Sequence, residues 1–286
     1  MKRLTLLLIL FCFQISSFDV EAQVHLCFSL CYMQPEVATP LRLTLVAPDG
    51  KADTLVNITM RSVSKSVRRN PQMEGPSVSK RYDRELASAG YYRLLLTLDT
   101  STLEVPFSLD GTELWVDAGL YVKTIDDFYT VGFPRLDIYR PAPEEVKLYY
   151  LGVDTVQGLL FNLVNHSADT LFHGYENDFN VYVRNYVNGK QPDFYHSVYH
   201  SLDYSYHRNE PLVSGRSRRI WEKNPVVNPG RCHATLCYAT DSHYYPRNHE
   251  TWSFQGGFIT SLWQPLSIQT WYVVSCDLFL TTLDLR

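Results

Sequence analysis

The chain lacks any sustained helical pattern: no apolar repeat of 3.6 residues persists beyond about ten residues, which argues against helical bundles and coiled coils. Past its first residues it also lacks an apolar run near the roughly 20 residues a membrane helix needs. The longest such stretch, from Trp271 to Leu280, is broken by Ser275 and Asp277. Surplus positive charge is missing: the net charge is −4 at pH 7, a poor basis for general nucleic-acid binding. Catalytic signatures are missing as well. There is no Gly-x-Ser-x-Gly elbow, and Gly256-Gly257 sits among aromatics without the lysine and helix of a phosphate loop. The neighbouring carboxylates Asp126-Asp127 and Glu144-Glu145 would point to opposite sides of a strand, so neither forms a glycosidase pair. The sequence therefore offers no catalytic residue, no metal ligand set and no cofactor, and no internal repeat or low-complexity segment.

What is present begins with the first 22 residues. Lys2 and Arg3 precede the apolar run Leu6 to Phe13, and Val20-Glu21-Ala22 supplies a cleavage site before Gln23. This is the anatomy of a signal peptide, removed on export. Cys12 lies inside the apolar core, with Phe11 where a lipobox needs a small residue, so a lipid anchor is not expected. The expected location is exported: periplasmic, cell-surface or extracellular. No transmembrane segment is expected after cleavage.

Five cysteines follow the leader: Cys27, Cys31, Cys232, Cys237 and Cys276. Export permits disulfides, and the odd number leaves at least one thiol outside any intrachain pairing. On a strand, Cys27 and Cys31 stand about 13 Å apart, too far to bridge. Any bridge would join different strands; the alternative is that the thiols are small buried hydrophobes. Neither close pair has the Cys-x-x-Cys spacing of a zinc site.

Alternation with a period of two dominates the rest. Leu41, Leu43 and Leu45 share a face, Asp49-Gly50 turns, and Val56, Ile58 and Met60 return. A second hairpin pairs Tyr92, Leu94, Leu96 and Leu98 with Leu103, Val105, Phe107 and Leu109, before a turn at Asp110-Gly111. Pro106 would delete a ladder donor and so places its strand at an edge or bulge. Residues 61–84 hold seven Lys or Arg against two acids, with Pro71, Pro76 and several serines. They read as a basic mobile loop, with a short helical piece possible from Lys80 to Ser88. After Pro141-Ala142-Pro143 come strand patterns at Val146 to Leu151, Val156 to Val164 and Arg231 to Ala239, and a hairpin turning at Asn188-Gly189. The expected fold is all-β: an N-terminal β-sandwich domain over 23–140 and a Tyr-rich C-terminal sandwich over 141–286, both antiparallel. The stretch Leu160 to Ser167, the strand Phe179 to Val183 and the turn Pro211 to Gly215 resemble immunoglobulin-like accessory domains of bacterial envelope proteins. The resemblance implies a fold for about ninety residues and no activity.

The candidate site is the tract Phe194 to His207. His196 and His200 are four apart, the spacing of a helical metal pair, but no glutamate follows the first histidine. On a strand the two imidazoles stand about 13 Å apart and cannot share an ion without help from His173, His233 or His243. The tract reads better as a recognition surface, in which Tyr195, Tyr199, Tyr204 and Tyr206 stack on a ligand and Asp203 and His207 supply polar contacts. Asp53-Thr54-Leu55, Asp154-Thr155-Val156 and Asp169-Thr170-Leu171 look like the Asp-Thr-aliphatic O-glycosylation acceptors of some Gram-negative bacteria; Asn57-Ile58-Thr59 and Asn165-His166-Ser167 are N-glycosylation sequons. The expected function is a non-enzymatic binding or assembly module of a bacterial envelope, meeting a protein or glycan partner through loops and sheet edges. Strand addition is one assembly mode, with Val273 to Leu283 as a possible donor. The alternative is a secreted hydrolase acting on polysaccharide or peptide through the His/Tyr tract.

Overall fold

Leucines two apart bury one face of a strand while the residues between them meet water, and this simple rule builds most of the molecule. The computed structural model describes residues 24–33, 38–60, 77–86, 89–125, 129–154, 157–173, 179–192, 211–223, 225–241, 263, 266–282 and 284. Every regular element among them is a strand, in agreement with the all-β expectation.

The clearest local pieces are two hairpins. β2 (Thr39–Val46) buries Leu41, Leu43 and Leu45 and pairs antiparallel with β3 (Ala52–Met60). Their turn is closed by Gly50, whose φ of 83° suits a residue without Cβ, and by the bond from Ala47 N to Lys51 O at 2.8 Å. β5 (Gly90–Leu98) and β6 (Ser101–Leu109) form the second hairpin. The four strands make one sheet in the order β3-β2-β5-β6, with Pro106 on the edge strand as its missing donor requires.

The remaining strands are β1 (Val24–Met33), β4 (Ser77–Leu86), β7 (Trp115–Ile125), β8 (Tyr129–Pro141), β9 (Val146–Asp154), β10 (Gly158–Asn165), β11 (Tyr182–Asn185), β12 (Arg216–Glu222), β13 (Gly230–Tyr238) and β14 (Ser267–Leu280). A seven-stranded sheet runs β11-β13-β14-β8-β7-β1-β4, and a three-stranded sheet runs β12-β10-β9. Two hydrophobic cores result. The first sets Leu26, Phe28, Leu30, Val116, Leu120 and Leu136 of the large sheet against the leucines of β2 and β5. The second sets Ala234, Leu236, Tyr238 and Leu278 against Leu148, Leu159, Phe161 and Leu163.

The large sheet is common to both cores. β14 pairs with β13 over 272–280 and, through its first half, with β8 over 267–273. Trp115, Tyr139 and Trp271 pack at this seam, where Trp115 and Tyr139 stack with ring centroids 4.2 Å apart. The sheet is not wholly antiparallel as expected: β1 with β7 and β8 with β14 are parallel pairs. Parallel neighbours need a long crossover, and the chain between β1 and β7, which includes the whole four-stranded sheet, supplies one.

Part of the expected basic loop is also a strand. From Ser77 it forms β4, antiparallel to β1, with Tyr82 and Leu86 turned towards the core and Arg81, Asp83 and Glu85 exposed. The open edge of β1 provides a ladder that no local helix propensity offsets. Residues 61–76 lie outside the described residues. The proposed strand donor near the C-terminus is already spent, because Val273 to Leu280 pair inside the large sheet.

Candidate functional site

The residues expected to recognise a ligand, Tyr195, Tyr199, Asp203, Tyr204, Tyr206 and His207, lie outside the described residues, as do His196 and His200. The described chemistry is concentrated elsewhere, on the outer face of the seven-stranded sheet and on the outer face of the three-stranded sheet.

Odd-numbered residues over 115–121 of β7 and 133–139 of β8 point away from the first core. Asp117 and Asp137 are direct cross-strand partners, and two positions further along, on the same face, Gly119 faces Arg135. A Cβ on Gly119 would sit 2.9 Å from Arg135 Nε, so the glycine leaves the arginine room to lie back over both acids. Arg135 Nη2 donates to Asp117 Oδ2 at 2.9 Å, and its Nε lies 3.5 Å from Asp137 Oδ2. Trp271 Nε1, from across the seam, donates to Asp137 Oδ1 at 3.3 Å. Asp137 is fully buried. Burial, partly countered by Arg135, raises the carboxyl of Asp117 above its ordinary value. Burial together with Asp117 pushes the Cys27 thiol up to about 12. Two acids sharing one cation in a dry place form a tightly held electrostatic knot.

A second network lies on β13 and β14. His233 and Asp277 are directly opposite each other. His233 Nδ1 meets Asp277 Oδ1 at 2.8 Å, while Tyr186 donates to the same oxygen at 2.8 Å and Arg231 Nη2 to Oδ2 at 2.6 Å. With Nδ1 donating, Nε2 of His233 accepts from Gln191 at 2.7 Å. The hydrogen bond from His233, then that from Arg231 and that from Tyr186, hold the carboxyl of Asp277 well below the usual carboxylate range. The guanidinium of Arg231 also lies 4.2 Å from the centre of the Tyr186 ring. Every polar atom of the His–Asp pair is engaged by a neighbour from the same sheet or its flanking turn. The geometry fixes the edge strand β11 against β13 and leaves the imidazole no lone pair for a nucleophile.

The outer face of the three-stranded sheet differs in kind. Its rows read Lys147–Val164–Ser217, Tyr149–Asn162–Arg219 and Gly152–Leu160–Trp221. A bulge between Leu160 and Phe161 on the β10 side leaves Leu151 as the extra residue of β9. Tyr149 is 49% exposed and Leu151 52%, and Leu160, Val164 and Trp221 are half-buried. Lys147 and Arg219 are exposed on the same face as this apolar strip, and Arg216, also exposed, stands on the other face of β12. Arg216 and Arg219 have no ion-pair partner among the described residues, whereas Arg84, Arg93, Arg135, Arg140 and Arg231 each face an acid.

Cysteines and sequons settle smaller questions. The five described cysteines form no disulfide, and burial raises each thiol, that of Cys276 to about 11. They behave as buried hydrophobes rather than as reactive thiols. Asn165 is fully buried; its amide donates to Asp169 O at 2.8 Å and Leu212 O at 3.1 Å, and its oxygen accepts from Ser167 N and Oγ. A glycan on that nitrogen is incompatible with the fold. Asn57 and Thr54 are exposed. Among the described residues no group of three metal-ligating side chains occurs, and none of them forms a helix long and apolar enough to cross a membrane.

Sequence reasoning missed both networks and the apolar strip, since each is assembled only by strand pairing. The alternation Arg135-x-Asp137 was visible, but nothing local announces that Asp117 lies opposite. Comparison with protein families, with curated proteins and with solved structures found no match to this chain.

Proposed function

We propose that the chain is an exported, non-enzymatic binding module of a cell envelope, and that it docks a protein partner on the outer face of β9-β10-β12. The carrying observation is the strip of Tyr149, Leu151, Leu160 and Trp221 left open to solvent and bordered by Lys147 and Arg219. An apolar centre with a charged rim is the anatomy of a protein interface, and aliphatic residues among the aromatics favour a protein over a glycan. A pleated sheet with a core beneath it offers a rigid platform, so little conformational entropy is lost on docking. The leader-like first 22 residues support export, and the alternating strands of the second half support an immunoglobulin-like identity for that sandwich.

The non-enzymatic reading is supported by the way the acids are spent. Asp137 and Asp277 each accept hydrogen bonds from side chains of neighbouring strands, which suits cross-strand fastening rather than proton transfer. The test is native fractionation of the envelope from cells producing the wild-type chain or the double variant Tyr149→Ser/Leu151→Ser. Docking predicts that the wild type migrates with a partner and the variant does not, at equal unfolding midpoints. Identical migration of the two would contradict it.

A further inference from the structure

The edges of the three sheets are treated differently, and the difference identifies what one of them is for. A free edge invites another strand, so proteins blunt it. On β4, the charges are mixed and neutralised: Arg81 lies 3.5 Å from Asp83, and Arg84 pairs with Asp53 of β3 at 3.0 Å. β6 carries Pro106, and β11 has four residues. β9 packs alongside β14. β3, the other edge of the four-stranded sheet, has its Asp53 taken by that same Arg84. β12 differs from these. It is seven residues long, ends its sheet, and presents arginine at 216, 218 and 219 with no acid in the first six positions.

Arg218 is held over the Phe179 ring, 5.3 Å from its centre. Arg216 and Arg219 are exposed and make no ion pair among the described residues, in a chain whose net charge is −4. Being three apart on a strand, they stand on opposite faces, so a strand laid beside β12 meets a cation on either side. Like charges gathered on one strand cost stability unless something opposes them. The same strand contributes Trp221 and Arg219 to the open face described above.

We propose that the edge of β12 left uncovered by the described strands takes up an extended acidic segment of the partner as an added strand, the segment's backbone completing the ladder and its carboxylates facing Arg216 and Arg219. This rests on the docking reading and specifies how the partner engages. A complementary segment needs about seven residues, roughly 23 Å. Its acids alternate with apolar or β-branched residues, and it needs no fold of its own.

The experiment uses the mature full-length chain and a fluorescent seven-residue peptide alternating glutamate with valine. Its comparators are a lysine-for-glutamate peptide, a glutamate peptide N-methylated at alternate residues, and polygalacturonate. Anisotropy should show binding of the glutamate peptide alone, weakened roughly tenfold or more by Arg216→Ser/Arg219→Ser. Amide exchange should slow along β12 when the peptide is bound. Equal binding of the N-methylated peptide or of polygalacturonate would overturn strand addition, since neither can build a ladder. Failure of the glutamate peptide to bind, or indifference to the arginine variant, would also overturn it. Should the envelope partner still depend on Tyr149 and Leu151 in that case, docking survives and only the added strand falls.

Discussion

Asp117 and Asp137 face each other across the β7–β8 ladder with Arg135 lying over both. Opposed carboxylates are ordinarily unfavourable at this spacing. The pair persists because the guanidinium answers both and Trp271 supplies a further donor to Asp137 from β14. The knot thereby ties the strands of the first core to the strand that carries the second.

Arg135→Leu leaves two buried acids without their cation, and should cost about 3–5 kcal/mol at neutral pH. Asp117 has a carboxyl raised by burial, so it takes up a proton above the ordinary carboxylate range as pH falls and the penalty should shrink in mild acid. Adding Asp117→Asn to Arg135→Leu should recover part of the loss at pH 7. Urea denaturation of the three variants at several pH values checks this; a penalty independent of pH and unrelieved by the second change would contradict it.

Asp277 should give the opposite pH dependence. Its carboxyl is depressed by His233 first, then by Arg231 and Tyr186. A depressed acid adds stability that is complete above the unfolded value of about 3.9 and lost as pH falls through the folded value. Solvent screening keeps the effect modest, as the side chain is 42% exposed. The difference in unfolding midpoint between wild type and Asp277→Asn should hold from about pH 7 to 5 and narrow progressively as pH falls below about 4. A gap unchanged in acid would mean that the hydrogen bonds, not the charge, carry the stability.

Two glycines with positive φ separate backbone strain from crowding. At Gly158 φ is 94° and a Cβ would collide with the carbonyl oxygen of Glu222, where β10 meets the end of β12; at Gly189 φ is 75° and the space is open. Gly189→Ala should cost about 1 kcal/mol, the conformational penalty alone, and Gly158→Ala at least twice that. Thermal unfolding of the two variants measures the contrast, and equal losses would contradict it.

The hairpins were legible because their information is local. Asp49-Gly50 between two leucine-type alternations suffices to define β2–β3, and Pro106 alone places β6 at an edge. The shared sheet was not legible. β8 and β14 pair over residues separated by more than a hundred positions, and in parallel, for which no turn chemistry exists. The same gap hid the chemistry: Asp117, Asp137, His233 and Asp277 read individually as polar positions on alternating strands. β4 was hidden for a different reason, since its run of charges reads as solvated loop until the edge of β1 is known to need covering.

Burial of Asn165 makes its own prediction. Its four hydrogen bonds tie the end of β10 to the segments around Asp169 and Leu212. Asn165→Ala strands their partners and should cost about 2–3 kcal/mol, read as a lower urea midpoint with unchanged slope. A loss under about 0.5 kcal/mol would contradict the assignment.

The docking face is tested most directly by amide hydrogen exchange on the chain, alone and bound to a partner that purifies with it. The account predicts slowed exchange confined to β9, β10 and β12, and loss of the partner in Tyr149→Ser/Leu151→Ser. Protection confined to the seven-stranded sheet, with the face of Tyr149 and Leu151 unchanged, would contradict it.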